Sequence, residues 1–355
     1  MRAARMHAYN TPLVIDDAPV PEIEPNEVLV RVQAAGMCRT DVQLLDGYFR
    51  EYGLELSFPA TPGHEIAGVI ERLGGAVPAS AGLAQGDQVV VVGGFGCEAC
   101  PQCRVGNHQI CGHGRWPGFG PYGGYAEFVP VPYQWLIRLS REDHLKPEEL
   151  APLTDAGLTP YRGAKKLQAA GVLRADNVVA VSGIGGLGTY GVQYAKLLSG
   201  GATVVALARS DEKLRTAREL GADVAINVRG KSTADVRKEL QHATGHAEFH
   251  GVLDCSGAEE AIRLGFDMLA TSGAFVSVGL MGTRVDIPLF PFVAREYSYH
   301  GSFWGNYLDL GEVVELARKK LIRHEINTVR LEDVNESLDR LRDGDFVGRA
   351  VITYQ

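Results

Sequence analysis

Cys97, Cys100, Cys103 and Cys111 follow one another with the spacing C-x2-C-x2-C-x7-C. Four thiolates this close can surround Zn²⁺ as a tetrahedron with Zn–S bonds of about 2.3 Å, leaving no position open to a reactant. A closed site of that kind is structural. The same side chains also fit an iron–sulfur cluster, two disulfides or a nucleic-acid zinc module, although basic neighbours for the last are sparse. A second group of metal-ligating types lies upstream: Cys38 in Gly36-Met-Cys-Arg-Thr-Asp41, and His64-Glu65 in Pro62-Gly-His-Glu-Ile-Ala-Gly68. A catalytic zinc needs three protein ligands and one open position, and thiolate, imidazole and carboxylate all qualify. Taken singly, Cys38 reads equally as a small buried apolar residue and His64 as a hydrogen-bonded core residue.

A third motif suits a dinucleotide. Asn177-Val-Val-Ala-Val-Ser-Gly-Ile-Gly-Gly-Leu-Gly188 runs from a strand-like segment into a turn that opens a helix-like one. Gly183, Gly185 and Gly188 satisfy G-x-G-x-x-G, with Gly186 and Leu187 completing the turn. Such a turn lets the backbone approach a pyrophosphate at a helix N-terminus. The next strand should end on an acid that bonds the adenosine ribose of NAD, yet Ala208 stands there and Arg209 follows. Loss of the carboxylate and gain of a guanidinium favour the 2′-phosphate of NADP. Arg209 reads alternatively as a solvated charge or a stack on adenine. Asp211 reads as the first turn of the next helix, after an N-cap at Ser210.

The elements that must position these groups fall into two regimes. At 355 residues the chain exceeds the usual reach of one hydrophobic core, so two domains are expected. From Val28 to about Val92, short apolar runs alternate with Gly and Pro, which predicts a compact, mostly β domain. From near Ala156, strand-like runs alternate with helical ones, which predicts a doubly wound parallel sheet. The rhythm fades after about Phe292, and Arg349-Ala-Val-Ile-Thr-Tyr reads as a strand able to rejoin the first domain. The expected division is 1–155 and 293–355 for a catalytic domain, with a cofactor domain at 156–292 inserted. A net charge of −8 argues against nucleic acid and anionic membranes as partners. No signal-peptide pattern or membrane-length apolar segment occurs, so a cytoplasmic location is expected.

Gly63-His-Glu-Ile-Ala-Gly68, the Cys38 segment, the cysteine loop and Leu153-Thr-Asp-Ala-Gly-Leu-Thr-Pro-Tyr161, in that order of specificity, resemble the medium-chain zinc alcohol dehydrogenases over essentially the whole chain. The resemblance implies an α/β fold, with a GroES-like catalytic domain and a Rossmann cofactor domain. It implies that Cys38, His64 and Asp155 hold a catalytic zinc, with Glu65 able to enter as a transient ligand, and that the four-cysteine loop holds a structural zinc. Read without the family, Asp155 is a helix N-cap. The resemblance further implies that Thr40 carries the alcohol proton away, that Arg39 and Arg349 reach the pyrophosphate, that Thr159 lines the nicotinamide pocket, and that Val278, Gly279, Leu280 and Phe303 hold the carboxamide. Many relatives carry a proton-accepting histidine five residues after the ligand cysteine; here that residue is Gln43. The expected activity is oxidation of a small alcohol, or reduction of its carbonyl, with NAD(P) and a leaning to NADP. Trp116, Phe119, Tyr122, Phe292 and Trp304, if they line a cleft, suggest an apolar or aromatic primary or secondary alcohol; they read equally as core or interface aromatics. A homodimer or homotetramer is expected. The competing readings are a zinc-stabilised nucleotide-binding scaffold without catalysis and a medium-chain reductase of activated double bonds.

Overall fold

The computed structural model describes residues 1–139, 144–346 and 348–354. The chain divides into two compact units, Met1–Leu158 with Gly305–Gln355, and Thr159–Trp304.

The first unit is built on a seven-stranded sheet. Its axis is the strand Glu27–Gly36, whose run Glu-Val-Leu-Val-Arg-Val-Gln-Ala-Ala-Gly is buried except at Glu27, Arg31 and Gln33. Such a strand needs partners along both edges. Glu65–Leu73 and Phe128–Pro132 pair with it antiparallel, and the C-terminal strand Arg349–Thr353 joins its end, with Val351 opposite Gly36. Gln88–Val91 and Leu136–Arg138 extend one side, and Ile326–Val329 the other. Gly36 is therefore flanked by Glu65 on one side and by the last strand on the other. A Cβ there would stand 1.8 Å from Glu65 Oε2, so only glycine leaves room for that carboxylate.

The second unit is a six-stranded sheet in which every pairing is parallel. In space the strands run Val224–Asn227, Thr203–Ala208, Val178–Ser182, Phe249–Asp254, Leu269–Ser277 and Ser298–Gly301. This is the order 3-2-1-4-5-6 of a dinucleotide-binding fold, with its switch point between the first and fourth strands. Helices such as Gly188–Leu198 and Asp211–Glu219 cover the sheet, and Val178, Val205, Ile226, Phe249 and Phe275 lie in its apolar core.

Residues 293–304, expected in the returning catalytic segment, belong instead to this unit. Ser298–Gly301 is its sixth strand, pairing parallel to Leu269–Ser277. Its sequence Ser-Tyr-His-Gly lacks the apolar run of its neighbours because it is an exposed edge, so backbone pairing rather than side-chain burial places it. Phe292, expected at the substrate cleft, instead packs on the core of this unit beside Tyr297. Among the described residues no helix is long and apolar enough to cross a membrane.

Candidate metal centre and active site

Four potential ligands meet in the first unit. Cys38 occupies the N-cap position of the short helix Arg39–Leu45, directly after the central strand. His64 and Glu65 stand at the start of Glu65–Leu73, and Asp155 follows the 3₁₀ turn Ala151–Thr154. Asp155 is not a helix N-cap, because the next helix begins only at Leu158. The carboxylate is free to point inward: its Oδ2 accepts from Cys38 Sγ at 3.5 Å and lies 3.4 Å from His64 Nε2. Ligand bonds of about 2.3 Å to sulfur and 2.0–2.1 Å to nitrogen and oxygen, at the tetrahedral angle, require edges of about 3.5 Å for S···O and 3.4 Å for N···O. Both observed edges match. Burial pushes the Cys38 thiol up, and the Asp155 carboxylate pushes it the same way. A buried thiol, a buried imidazole and a part-buried carboxylate converging here suit a divalent cation as counter-charge, so the donor set fits zinc.

Asp41, three residues beyond Cys38, organises the ligands from behind. Its Oδ2 accepts from the Cys38 N–H at 2.9 Å and from the Tyr125 hydroxyl at 2.8 Å, while Oδ1 accepts from the Gly63 N–H and lies 3.3 Å from His64 Nδ1. Burial alone would raise its carboxyl, yet the His64 charge and these bonds hold it below the usual range. An anion at Nδ1 leaves Nε2 to face Asp155 Oδ2.

Glu65 is fully buried. Its Oε1 accepts from Arg349, and its Oε2 makes no hydrogen bond among the described residues. Burial lifts the carboxyl to about 7 against the opposing pull of Arg349. Arg349 is itself 4% exposed and donates also to the Met37 carbonyl. It therefore sits between the Met37 carbonyl and Glu65, behind Cys38 and His64. Arg39, by contrast, is exposed and donates to the Leu341 and Arg342 carbonyls. Thr40 is half-buried on the helix that Cys38 starts. An aromatic wall adjoins the ligands. The Phe119 ring lies 5.8 Å from His64, and Phe49 and Trp116 pack on Phe119 at 5.8 and 5.9 Å. Phe49 escapes a reading by metal-ligand type, and Asp41, a carboxylate within the Cys38 motif, takes its place behind the ligands only through the fold.

In the cysteine loop, Cys100 Sγ and Cys111 Sγ are 3.7 Å apart, close to the edge of about 3.8 Å for a zinc tetrathiolate. All four sulfurs lie within 4.8 Å of one another, a span that one ion fills and a multi-iron cluster does not. None of the cysteines is in a disulfide. The Cys97 N–H points at Cys111 Sγ and the Cys100 N–H at Cys97 Sγ, and N–H groups of Ala99 and Cys100 lower the Cys97 thiol to about 6.

In the second unit, Gly183 follows Val178–Ser182 at φ 85°, where a Cβ would meet Ser256 at 2.6 Å. At Gly185 a Cβ would meet nothing within 4 Å, so the backbone there is bare to an approaching ligand. Leu187 caps the helix Gly188–Leu198. Ala208 ends its strand, Arg209 is exposed, and Asp211 is held by Asn227 Nδ2 at 2.7 Å. Val278, Gly279 and Leu280 follow Leu269–Ser277 at the same carboxyl edge, where the Val278 and Gly279 N–H groups donate to the Asp254 carbonyl. Phe303 is partly exposed and Thr159 is buried.

Residues 24–141 match the alcohol dehydrogenase GroES-like domain and residues 186–319 the zinc-binding dehydrogenase domain. The NAD-dependent alcohol dehydrogenase of Sulfurisphaera tokodaii is 35% identical over 99% of both chains. The chain belongs to the medium-chain zinc-dependent alcohol dehydrogenases. The crystal structure of an alcohol dehydrogenase from Aeropyrum pernix superposes with a TM-score of 0.91 at 35% identity, covering both chains completely. The NADP-dependent D-arabinose 1-dehydrogenase of Saccharolobus solfataricus is 34% identical over 99% of this chain and 97% of its own. As an alcohol dehydrogenase of this family, the protein joins a GroES-like domain to a Rossmann domain and works with zinc and NAD(P).

Proposed function

We propose that the enzyme interconverts a small apolar or aromatic primary or secondary alcohol and its aldehyde or ketone. A catalytic zinc is held by Cys38, His64 and Asp155, and a structural zinc by Cys97, Cys100, Cys103 and Cys111. The agreement of the Asp155 edges to Cys38 and His64 with a zinc tetrahedron carries this reading. Three protein ligands leave one position for a reactant, which a scaffold without catalysis has no need of; a double-bond reductase has no need of the ligand set. Zinc, when bound, supplies the Lewis acidity that makes an alcohol proton labile near neutral pH, and NAD(P) supplies the hydride acceptor. Asp41 orients His64, and Glu65 stands in reserve as a transient ligand. The ring of Phe119, beside His64, keeps water from the substrate carbon and favours apolar substituents.

Gly183, Gly185, Gly186, Leu187 and Gly188 receive the pyrophosphate, with Arg39 and Arg349 as its cations, while Thr159, Val278, Gly279, Leu280 and Phe303 border the nicotinamide. Arg209 selects NADP: it is exposed where an acid would select NAD, and Asn227 restrains Asp211, the next acid along the chain. Cytoplasmic reducing conditions keep the cysteine ligands available, and assembly as a homodimer or homotetramer is expected. A panel of alcohols and ketones, followed through cofactor absorbance with NADP and NAD, tests the activity. Turnover of none of them would end it. In the same assay Arg209→Ala should lower kcat/KM for NADP by about 10- to 100-fold, the worth of one charge-assisted bond, and leave NAD unchanged. A parent enzyme preferring NAD would give the arginine another role.

Thr40 begins the path by which the alcohol proton leaves. Gln43 can orient a hydroxyl or water but cannot titrate near neutral pH, so the path continues through ribose and water or through another histidine. Thr40→Ala should slow hydride transfer by about 100-fold, the lower end of acid–base contributions. Gln43→His should be tolerated and should raise oxidation between about pH 6.5 and 7.5, where a free imidazole accepts protons. Pre-steady-state pH–rate profiles check both, and a Thr40→Ala profile coincident with the parent removes the relay.

A further inference from the structure

The cysteine loop is tied to a distant segment of its own unit through one imidazole. His108, between Cys103 and Cys111, is 4% exposed. Its Nδ1 lies 2.9 Å from the Gly94 carbonyl and its Nε2 2.8 Å from the Tyr307 nitrogen. A carbonyl can only accept and a backbone N–H can only donate, so the ring is neutral, with its proton on Nδ1 and Nε2 accepting. Trp135 packs on it at 4.3 Å and fixes its plane.

Tyr307 is the first residue of the helix Tyr307–Arg318, and its N–H has no acceptor within that helix. His108 supplies one. The helix buries Leu310, Val313 and Val314 and packs against the 3₁₀ turn Ala151–Thr154, which Asp155 directly follows. Just before the helix, Gly305 presses so closely on Leu158 that a Cβ would stand 2.3 Å from Leu158 Cδ1. The returning chain thus grips the segment carrying Asp155 on both sides of it, and His108 fixes where that chain begins its helix.

We propose that His108 is a positioning residue for Asp155, so that the cysteine loop sets the catalytic carboxylate as well as the stability of its own lobe. This rests on Asp155 being a zinc ligand. Metal sites tolerate ligand misplacement of only about 0.5 Å, and supporting groups behind a ligand are typically worth 10- to 100-fold in metal affinity.

Two substitutions separate the two bonds of His108. An asparagine amide reaches the Nδ1 position only, so His108→Asn keeps the bond to Gly94 and loses the acceptor for Tyr307. A glutamine amide reaches the Nε2 position, so His108→Gln keeps accepting from Tyr307. In full-length enzyme with cobalt at the catalytic site, the loss of the cobalt–thiolate absorption is timed after addition of 4-(2-pyridylazo)resorcinol. Thermal melting and the retained zinc report on the cysteine lobe. His108→Asn should release catalytic metal about 10- to 100-fold faster than the parent, with the loop zinc retained, while His108→Gln stays within about threefold. Parent-like release from His108→Asn, or equally fast release from both variants, overturns the proposal. If His108→Asn does not fold, Tyr307→Pro removes the same N–H at a helix position that accepts proline. Fast release then supports the coupling and parent-like release overturns it. Asp155→Ala serves as the separate control: retention of the labile metal there would overturn the ligand assignment, and with it this inference, whatever the His108 variants do.

Discussion

Asp155→Ala is expected to lose the catalytic zinc and more than about 10³-fold of turnover, while the cysteine-loop metal and the circular dichroism spectrum stay as in the parent. One oxygen of this carboxylate faces both Cys38 Sγ and His64 Nε2, so its removal takes away two edges of the tetrahedron at once. Only two ligands then remain. Glu65 can enter only transiently, because Arg349 holds its Oε1. The size of the effect follows from what the metal contributes: zinc can lower the pKa of a bound water from 15.7 to about 7, and nothing else near Cys38 can do so. Elemental analysis and kcat/KM on the same preparation provide the check. Cys255→Ser is the counterpart, since Cys255 follows the strand Phe249–Asp254 in the other unit and packs near Gly191. It should keep both metals. Loss of the catalytic metal from Cys255→Ser with retention in Asp155→Ala would reverse the assignment.

The cysteine loop should show the largest effect on stability. Between Cys97 and Cys111 the only regular structure is the short helix Pro101–Arg104 and the 3₁₀ turn His108–Ile110, and most side chains face solvent. There is little apolar surface to hold such a segment. Four converging thiolates without a cation would repel one another, so the metal takes the place of a core. Structural zinc contributes about 10–16 kcal/mol in small peptide modules, and loss of even about 5 kcal/mol lowers the melting temperature of a unit of this size by roughly 10–20 °C. Cys100→Ser should therefore melt at least about 10 °C below the parent and aggregate on heating. A melting curve superimposable on the parent's would show that the loop does not depend on a metal.

The features legible in the sequence are those carried by local pattern. The parallel strands from Val178–Ser182 to Leu269–Ser277 are covered on both faces, so each reads as an apolar run, and the glycine turn marks the first of them. The cysteine spacing is legible because all four ligands lie on one short loop. Ser298–Gly301 is not, since an exposed edge strand needs no apolar residues. Asp155 is ambiguous because an acid shortly before a helix looks like a cap, and only the gap of two residues before Leu158 frees it to point at Cys38. The pairing of Glu65 with Arg349 leaves no local trace, because its partners lie 284 residues apart. Phe49 is hidden for a similar reason, as only the fold brings it to Phe119.

That separation has a consequence for how the protein is made. Glu65 leaves the ribosome early, yet the arginine that neutralises it lies on the last strand of the sheet. At about 5–20 residues per second, synthesis of the intervening chain takes roughly 15–60 s. The continuous segment Thr159–Trp304 can fold in that interval, whereas the first unit must wait with a buried-to-be carboxylate unmatched and its central strand missing a neighbour. Nascent chains at this stage expose an open edge of the central strand, although Cys38, His64 and Asp155 have all been made. The buried Glu65–Arg349 pair is thus completed only after translation has reached Arg349, which makes the first unit, not the glycine-loop unit, the one whose sheet stays unfinished while the polypeptide is still growing.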